Sequence, residues 1–539
     1  MLATEDLTAD LESDYVSFDK QRISTYQKEG LWRSHNHIQF LDNIQQKYGN
    51  NTAVIDGNKQ LTYTELYTKA RQFGSYLKSQ NLKKDDFIIL QAPNTIEFFI
   101  VLFAIYTIGA RPIFCLDGYG AYEIENIAKQ SKAVGYIKIK SVNAHQDDAM
   151  DIINKFAYPN FTLWYRETIT VQETIEQSLP MITEDHQPLD ISEVSATKVA
   201  FLQLSGGTTG IPKLIPRTHA DYLYSVKMSA DIAGVNEQTK QLVVLPVMHN
   251  YAMSSPGFLG VFYKGATVIL TAETSPRQCF KLMQNQHVTQ VSLVPSLMSL
   301  WINSPALPKY DLSSLKVIQV GGAKLLPEMA KKVMQTLDIT LQQVYGMAEG
   351  LVCFTRLDDD EQTIIHTQGR PLSPRDVISI IAPNGSVLSH GEVGQIMTKG
   401  PYTINGYYNS PLINKDSFTP DGFYKTGDLG YLDNQQNIVI TGRGKEQINR
   451  AGEKIAPSEL ENLILTHDAV KDSSVVGIAD ARLGEKIKVF VVLKDESRTL
   501  TLQTLRTHLM QKNIAHYKLP DELELVTDFQ YTLVGKVRK

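Results

Sequence analysis

Short apolar runs rich in β-branched residues recur along the chain, each closed by glycine, proline or polar positions. They include DFIILQAP, KVAFLQLS, QLVVLPV, ATVILTA, VTQVSLV and LKVIQVGG. Continuous apolar runs of that length predict strands buried on both faces, as in parallel sheets. Amphipathic or wholly apolar stretches lie between them: LTYTELYTKARQFGSYLKSQ predicts a strand end followed by a helix, and TIEFFIVLFAIYTIGA predicts a buried helix. AVIDG followed by LTYTEL predicts a hairpin turning at Gly57 and Asn58. Residues 1–50 read as a charged, partly helical lead-in.

Strands alternating with helices imply an α/β fold with largely parallel or mixed sheets covered by helices. After Gly400 the texture shifts to short strands and turns, in the manner of GEVGQIMTKG, which suits a small distorted barrel. The polar crossing TGRGKEQINRAGEK then leads into ELENLILTH, SSVVGIAD, KIKVFVVLKD and LQTLRTHLMQKN, a small α+β unit. The expected domains are therefore 1–444, large and N-terminal, and 445–539, small and C-terminal.

Composition changes this picture little. The chain has 539 residues, 42% hydrophobic and 21% charged, with a net charge of −5, so it lacks the basic balance of a general nucleic-acid binder. Cys115, Cys279 and Cys353 lie far apart without metal-ligand or disulfide spacing, which favours a reducing, cytoplasmic setting. The acidic opening MLATEDLTADLESDY has no signal-peptide pattern. The apolar run 98–108 falls short of the ~20 residues that span a bilayer, so no membrane association is expected.

Candidate chemistry begins at 205-SGGTTGIPK-213, directly after the strand VAFLQL. Glycines at 206, 207 and 210 allow backbone N–H groups to approach an anion, while Ser205, Thr208, Thr209 and Lys213 add donors and charge. The lysine follows Pro212, where a P-loop would have glycine. Most glycine turns are structural. The density of donors here favours phosphate binding.

SGGTTGIPK resembles the phosphate loop of the adenylate-forming superfamily of acyl- and aryl-AMP ligases. GGAK at 321–324, YGMAEG at 345–350, YKTGD at 424–428, GRGKEQINRAGEKI at 442–455 and GK at 535–536 follow in that family's order. FLQLSGGTTGIPKLIPRTH, HNYAMSSPG, LQQVYGMAEGLV and QINRAGEKIAPSELEN are similar to one subgroup, the 2,3-dihydroxybenzoate–AMP ligases of catechol siderophore biosynthesis. The resemblance implies that Ser205, Gly206, Gly207, Thr208, Thr209, Gly210 and Lys213 hold the ATP phosphates. It places adenine between Gly322, Ala323 and Tyr345, the ribose on Asp428 and Arg443, and Mg²⁺ on Glu349. Lys445 becomes the interdomain hinge, and Lys536 a catalytic lysine bridging the substrate carboxylate and the α-phosphate. Taken singly, Asp428 reads equally as a turn residue, Arg443 as a surface ion pair, and Glu349 and Lys536 as solvated charges. Only their order and spacing lift them.

The same resemblance assigns the acid. Asn250 would bond the ring hydroxyl beside the carboxylate, where amino-acid-activating relatives carry an aspartate. Tyr251 and Val352 would line the ring, Ser255 would meet a second hydroxyl, and His249 would stand between the acid and a thiol tunnel. Serine at 255 points to 2,3-dihydroxybenzoate, with salicylate as a weaker substrate. The adenylate would pass to the phosphopantetheine thiol of a holo aryl carrier protein. An aryl-CoA ligase and a salicylate–AMP ligase are the alternative readings.

Overall fold

The computed structural model describes residues 15–119, 121–139, 162–164, 193–205, 212–444, 448–450, 453–480, 483–495, 499–512, 514 and 518–529. Gly206, Gly207, Thr208, Thr209, Gly210, Lys445 and Lys536 lie outside the described residues.

Two helix-covered sheets form the large part of the molecule. One has the strand order Thr162–Trp164, Gly135–Lys138, Phe87–Gln91, Arg111–Cys115, Val199–Leu204 and Leu214–Thr218. It is parallel except at its last pair, where Val199–Leu204 runs antiparallel to Leu214–Thr218. The other sheet is parallel through its middle, where Thr340–Gly346, Val317–Gly321, Gln290–Leu293, Lys240–Val243, Thr267–Leu270 and Thr52–Asp56 lie side by side. Antiparallel strands close both of its edges: Lys59–Thr62 at one, Val352–Phe354 and Arg370–Pro371 at the other. The apolar runs read from the sequence all fall on these strands, and the hairpin turns at Gly57 and Asn58 as expected.

The main core draws residues from both sheets, among them Val54, Val268, Leu90 and Phe201. The helix Ile96–Thr107 runs through it with every side chain but that of Glu97 buried, because a helix apolar on all sides is stable only when enclosed. Phe99 meets Phe258 edge-on at 5.0 Å, locking this helix against Gly257–Tyr263. Gly74 lets the helix Tyr63–Ser79 approach closely, since a Cβ there would collide with Thr107. That helix starts on a capping box in which Thr62 and Glu65 satisfy each other's backbone N–H groups.

Beyond the second sheet lies a four-stranded antiparallel sheet: Val377–Ile381, Gly394–Lys399, Tyr424–Leu432 and Ile438–Arg443. It begins at Val377, before the change of texture after Gly400. The lead-in is tied to this region, because Trp32 is buried with its indole N–H donating to the Pro401 carbonyl at 3.0 Å. The C-terminal unit is an α+β layer. The strands Val470–Asp480 and Gly484–Leu493 form a long hairpin, with Ile448–Arg450, Glu453–Ile455 and Glu522–Leu525 alongside. Its helices Pro457–Leu465 and Leu502–Gln511 close a separate core around Leu460, Val489 and Leu505. Ser458 donates to the Thr441 carbonyl at 3.1 Å, joining this unit to the antiparallel sheet.

Candidate active site at the strand ends

The carboxyl ends of the parallel strands in the nine-stranded sheet converge on one cleft, where open α/β sheets bind ligands. After Lys240–Val243 the chain turns into the helix Asn250–Ser254. His249 caps it, its Nδ1 accepting from the Tyr251 N–H at 3.2 Å. A structural task is thus visible for His249 beside the gating role expected of it. The Asn250 Oδ1 accepts a hydrogen bond from the Tyr222 hydroxyl at 2.9 Å. Tyr251 is buried against Gly321, where a Cβ would reach within 3.0 Å of the phenol carbon Cζ. Burial pushes the Tyr251 hydroxyl pKa up. Ser255 is also buried and precedes Pro256 through a cis peptide bond. Val352 opens the strand Val352–Phe354 opposite Gly346. Its backbone N–H donates to the Tyr402 hydroxyl at 3.3 Å. Asn250, Tyr251 and Ser255 thus come from one short helix and its end, and Val352 from an antiparallel strand near the edge of the same sheet.

Gly321 separates this apolar side from a charged one. Gly322 and Ala323 follow it into the open, with Gly322 at a φ of +79° that glycine tolerates without steric cost. Tyr345 lies on the adjacent strand, and its hydroxyl donates to Asp428 Oδ2 at 2.7 Å. Arg443 Nε donates to Asp428 Oδ1 at 2.9 Å across the Tyr424–Leu432 and Ile438–Arg443 pair. An ionised carboxylate has about four acceptor sites, so Asp428 keeps room for two further donors. Glu349 is buried and accepts from the Tyr407 hydroxyl at 2.8 Å. Tyr407 in turn lies 3.0 Å from the Tyr424 hydroxyl. Burial beside the Glu349 charge pushes the Tyr407 pKa up, so this hydroxyl keeps its proton. The Lys213 ammonium sits 4.6 Å from the Tyr407 ring centre. Ser205 and Lys213 join the two ends of the glycine-rich segment: the Ser205 N–H donates to the Lys213 carbonyl at 3.1 Å, and the Lys213 N–H to Ser205 Oγ at 3.0 Å.

Comparison with known proteins accounts for this arrangement. Residues 41–408 match the AMP-binding enzyme family, and residues 459–536 match the AMP-binding enzyme C-terminal domain. The chain belongs to the AMP-binding enzymes. It is 41% identical over 527 residues to the 2,3-dihydroxybenzoate-AMP ligase of Bacillus subtilis (strain 168), covering 97% of this chain and 96% of that one. It is 40% identical over 529 residues to enterobactin synthase component E of Escherichia coli (strain K12), covering 97% of each. Among solved structures, the apo form of MbtA from Mycobacterium smegmatis superposes with a TM-score of 0.74 at 34% identity, covering 97% of both chains. As an adenylate-forming ATP-dependent enzyme, this chain carries the mixed α/β architecture of its relatives.

Several residues of this AMP-binding enzyme's cleft escape a reading of the sequence. Arg217 is fully buried, paired with Asp221 at 2.8 Å, and donates from Nη1 to the Ala348 carbonyl at 2.9 Å, which anchors the turn carrying Glu349. Tyr222, Tyr402 and Tyr407 each hold a predicted site residue from behind. Tyr402 also donates to Asp376, a carboxyl raised to about 8 chiefly by burial. Tyrosines are common on buried faces, so their sequence positions carried no signal. Among the described residues, no three His, Cys, Asp or Glu side chains gather as a metal cage, and no helix is long and apolar enough to cross a membrane.

Proposed function

We propose that the enzyme joins 2,3-dihydroxybenzoate to AMP with release of pyrophosphate, and then passes the aryl group to the phosphopantetheine thiol of a holo aryl carrier protein. The observation that carries this reading is the neutral amide of Asn250 beside a buried, ring-sized face, one glycine away from the Tyr345–Asp428 edge. An α-amino acid would bring an ammonium group that calls for a carboxylate there. An aromatic acid brings none. The similarity to the 2,3-dihydroxybenzoate-AMP ligase of Bacillus subtilis supports the same acid.

In this reading Gly322, Ala323 and Tyr345 hold adenine, while Asp428 and Arg443 take the ribose. Gly206, Gly207, Thr208, Thr209 and Gly210, with Ser205 and Lys213, surround the phosphates. Glu349 is the expected Mg²⁺ ligand. Mg²⁺ commonly binds through one or two carboxylates plus substrate phosphates, so one buried glutamate held by Tyr407 suits it without a protein cage. When bound, the metal neutralises phosphate charge and stabilises the leaving pyrophosphate. The chain's own contribution is positional and electrostatic. Asn250, Tyr251, Ser255 and Val352 orient the ring so that its carboxylate faces the α-phosphate, and Lys536 supplies positive charge where two anions must meet. The two domains, 1–444 and 445–539, then rotate about Lys445, withdrawing Lys536 and opening the thiol path past His249 and residues 449–454.

ATP–pyrophosphate exchange tests the proposal against a panel of acids. Exchange should be fastest with 2,3-dihydroxybenzoate, slower with salicylate and absent with α-amino acids. Thioester formation should be efficient on the carrier and poor on coenzyme A. Failure to exchange with any aryl acid would overturn the reading, and efficient transfer to coenzyme A would replace it with an aryl-CoA ligase.

A further inference from the structure

Asn250 is braced from behind by a tyrosine. Tyr222 projects from the helix His219–Ile232, whose N-terminus is fixed by a capping box between Thr218 and Asp221. The Tyr222 ring is fully buried. Phe201 packs edge-on to it at 4.6 Å, and the Arg217 guanidinium lies 4.7 Å from its centre. Burial pushes its pKa up, so the phenol keeps its hydrogen. That hydrogen goes to Asn250 Oδ1 at 2.9 Å. Asn250 itself is only half-buried. With Oδ1 turned inward onto Tyr222, the planar amide turns Nδ2 towards the open side, and among the described residues Nδ2 has no hydrogen-bond partner. Left free, an amide could present either end. Here it presents a donor.

We propose that Tyr222 is a specificity-determining positioning residue: by occupying Oδ1 it obliges the ring substituent beside the substrate carboxylate to be a hydrogen-bond acceptor. This deepens the function proposed above and rests on it. An ortho hydroxyl gives its hydrogen to the neighbouring carboxylate and turns an oxygen lone pair outward, which matches Nδ2–H. An ortho amino group gives one hydrogen to the carboxylate and turns the other outward, while its lone pair is drawn into the ring. It would meet Nδ2–H with N–H, leaving two donors facing each other out of water, an arrangement that loses the bond and strands both groups. Aromatic acids with ortho oxygen are thereby accepted, and those with ortho nitrogen refused.

Three acids that differ only at this position isolate the effect: 2-hydroxybenzoate, 2-aminobenzoate and benzoate, compared by kcat/KM in ATP–pyrophosphate exchange on the full-length enzyme. The wild type should favour the hydroxy acid over the amino acid by at least about tenfold. Tyr222→Phe should lower that ratio about fivefold, the weight of one net hydrogen bond. It should do so by slowing the hydroxy acid relative to benzoate and speeding the amino acid relative to benzoate. A structural role would instead lower all three together, and that result would overturn the proposal. Asn250→Ala supplies a second arm that does not depend on Tyr222→Phe folding: it should bring the hydroxy-to-amino ratio close to one, and an unchanged ratio would refute the inference. Equal wild-type rates with the two ortho acids, alongside brisk exchange with 2,3-dihydroxybenzoate, would sink the inference and leave the proposed function standing. Silence with every aryl acid would remove both.

Discussion

In the proposed site, the acid and nucleotide sides of the cleft manage polarity in opposite ways. On the acid side, Asn250 and the backbone of Val352 are neutral, and each is fixed by a tyrosine behind it, Tyr222 or Tyr402. On the nucleotide side, Asp428 and Arg443 are charged and paired at 2.9 Å, and the Arg443 side chain is 51% exposed. A neutral wall, once a bound ring covers it, discriminates through direction, because an unmatched donor or acceptor then has no water to turn to. A wetter charged edge works through magnitude and tolerates small misalignments, because solvent screens it. Substitutions on the acid side should therefore change which acid reacts, and those on the nucleotide side how fast any acid reacts.

The largest test of that division is Lys536→Ala. If the reaction is limited by bringing a carboxylate to a triphosphate, removing one preorganised cation should slow ATP–pyrophosphate exchange by about 10²–10³-fold. The loss should be the same for every aryl acid. Thioester formation from preformed aryl adenylate should be nearly unaffected, since the anions have already been joined. Comparable losses in both half-reactions would mean that the lysine supports structure.

How much of this division was legible beforehand follows from which residues carry it. Asn250, Asp428, Arg443 and Glu349 sit within ordered polar motifs, so their types and spacing announced them. The strands beneath them were equally plain, because burial on both faces demands unbroken apolar runs such as QLVVLPV. What stayed hidden is the layer behind. Tyr222 acts on Asn250 across 28 positions, and Tyr407 acts on Glu349 across 58. Arg217 is buried against Asp221 and the Ala348 carbonyl, 131 positions away. Contacts of that range depend on strand order, which local periodicity does not encode. The candidate residues could be named from sequence; what holds them could not.

A smaller effect should follow Asp428→Asn. The amide can keep both neighbours, Oδ1 accepting from the Arg443 Nε–H and Nδ2 donating to the Tyr345 hydroxyl oxygen, but the negative charge and one of the two acceptor oxygens are lost. Hydrogen bonds to a charged group contribute about 1.5–3 kcal/mol, which corresponds to a rise of at least about tenfold in the KM for ATP. The KM for 2,3-dihydroxybenzoate and the preference over salicylate should stay put. A shift in acid preference of similar size would show that the two sides of the cleft are one coupled network, and the contrast drawn between them would fail.

The smallest effect lies on the neutral side and appears only as pH changes. The Tyr402 hydroxyl that receives the Val352 N–H donates to Asp376, and the Ser373 N–H donates to Asp376 Oδ2 at 3.3 Å. Although Asp376 as a residue is only half-buried, its Oδ1 is sealed from solvent and has no partner. Burial holds the carboxyl up at about 8, against an ordinary value near ~3.9. Between those two values the folded protein keeps a proton that the unfolded chain has released. Its stabilising contribution is therefore complete only below the unfolded value, falls as pH rises from there to about 8, and is gone above it. Asp376→Asn, neutral at every pH, should remove this slope. The variant should gain on the wild type in melting temperature between pH 6 and pH 8, by a few degrees, and the gap should then stay constant to pH 9. The KM for 2,3-dihydroxybenzoate should rise with pH in the wild type, as an ionised Asp376 draws on the Tyr402 hydrogen bond behind Val352, and should stay flatter in the variant. Thermal melts and exchange kinetics at pH 6, 7.5 and 9 decide it. Parallel melting curves across that range would mean that Asp376 is already ionised in the folded state, and the wall behind Val352 would then belong with the charged edge.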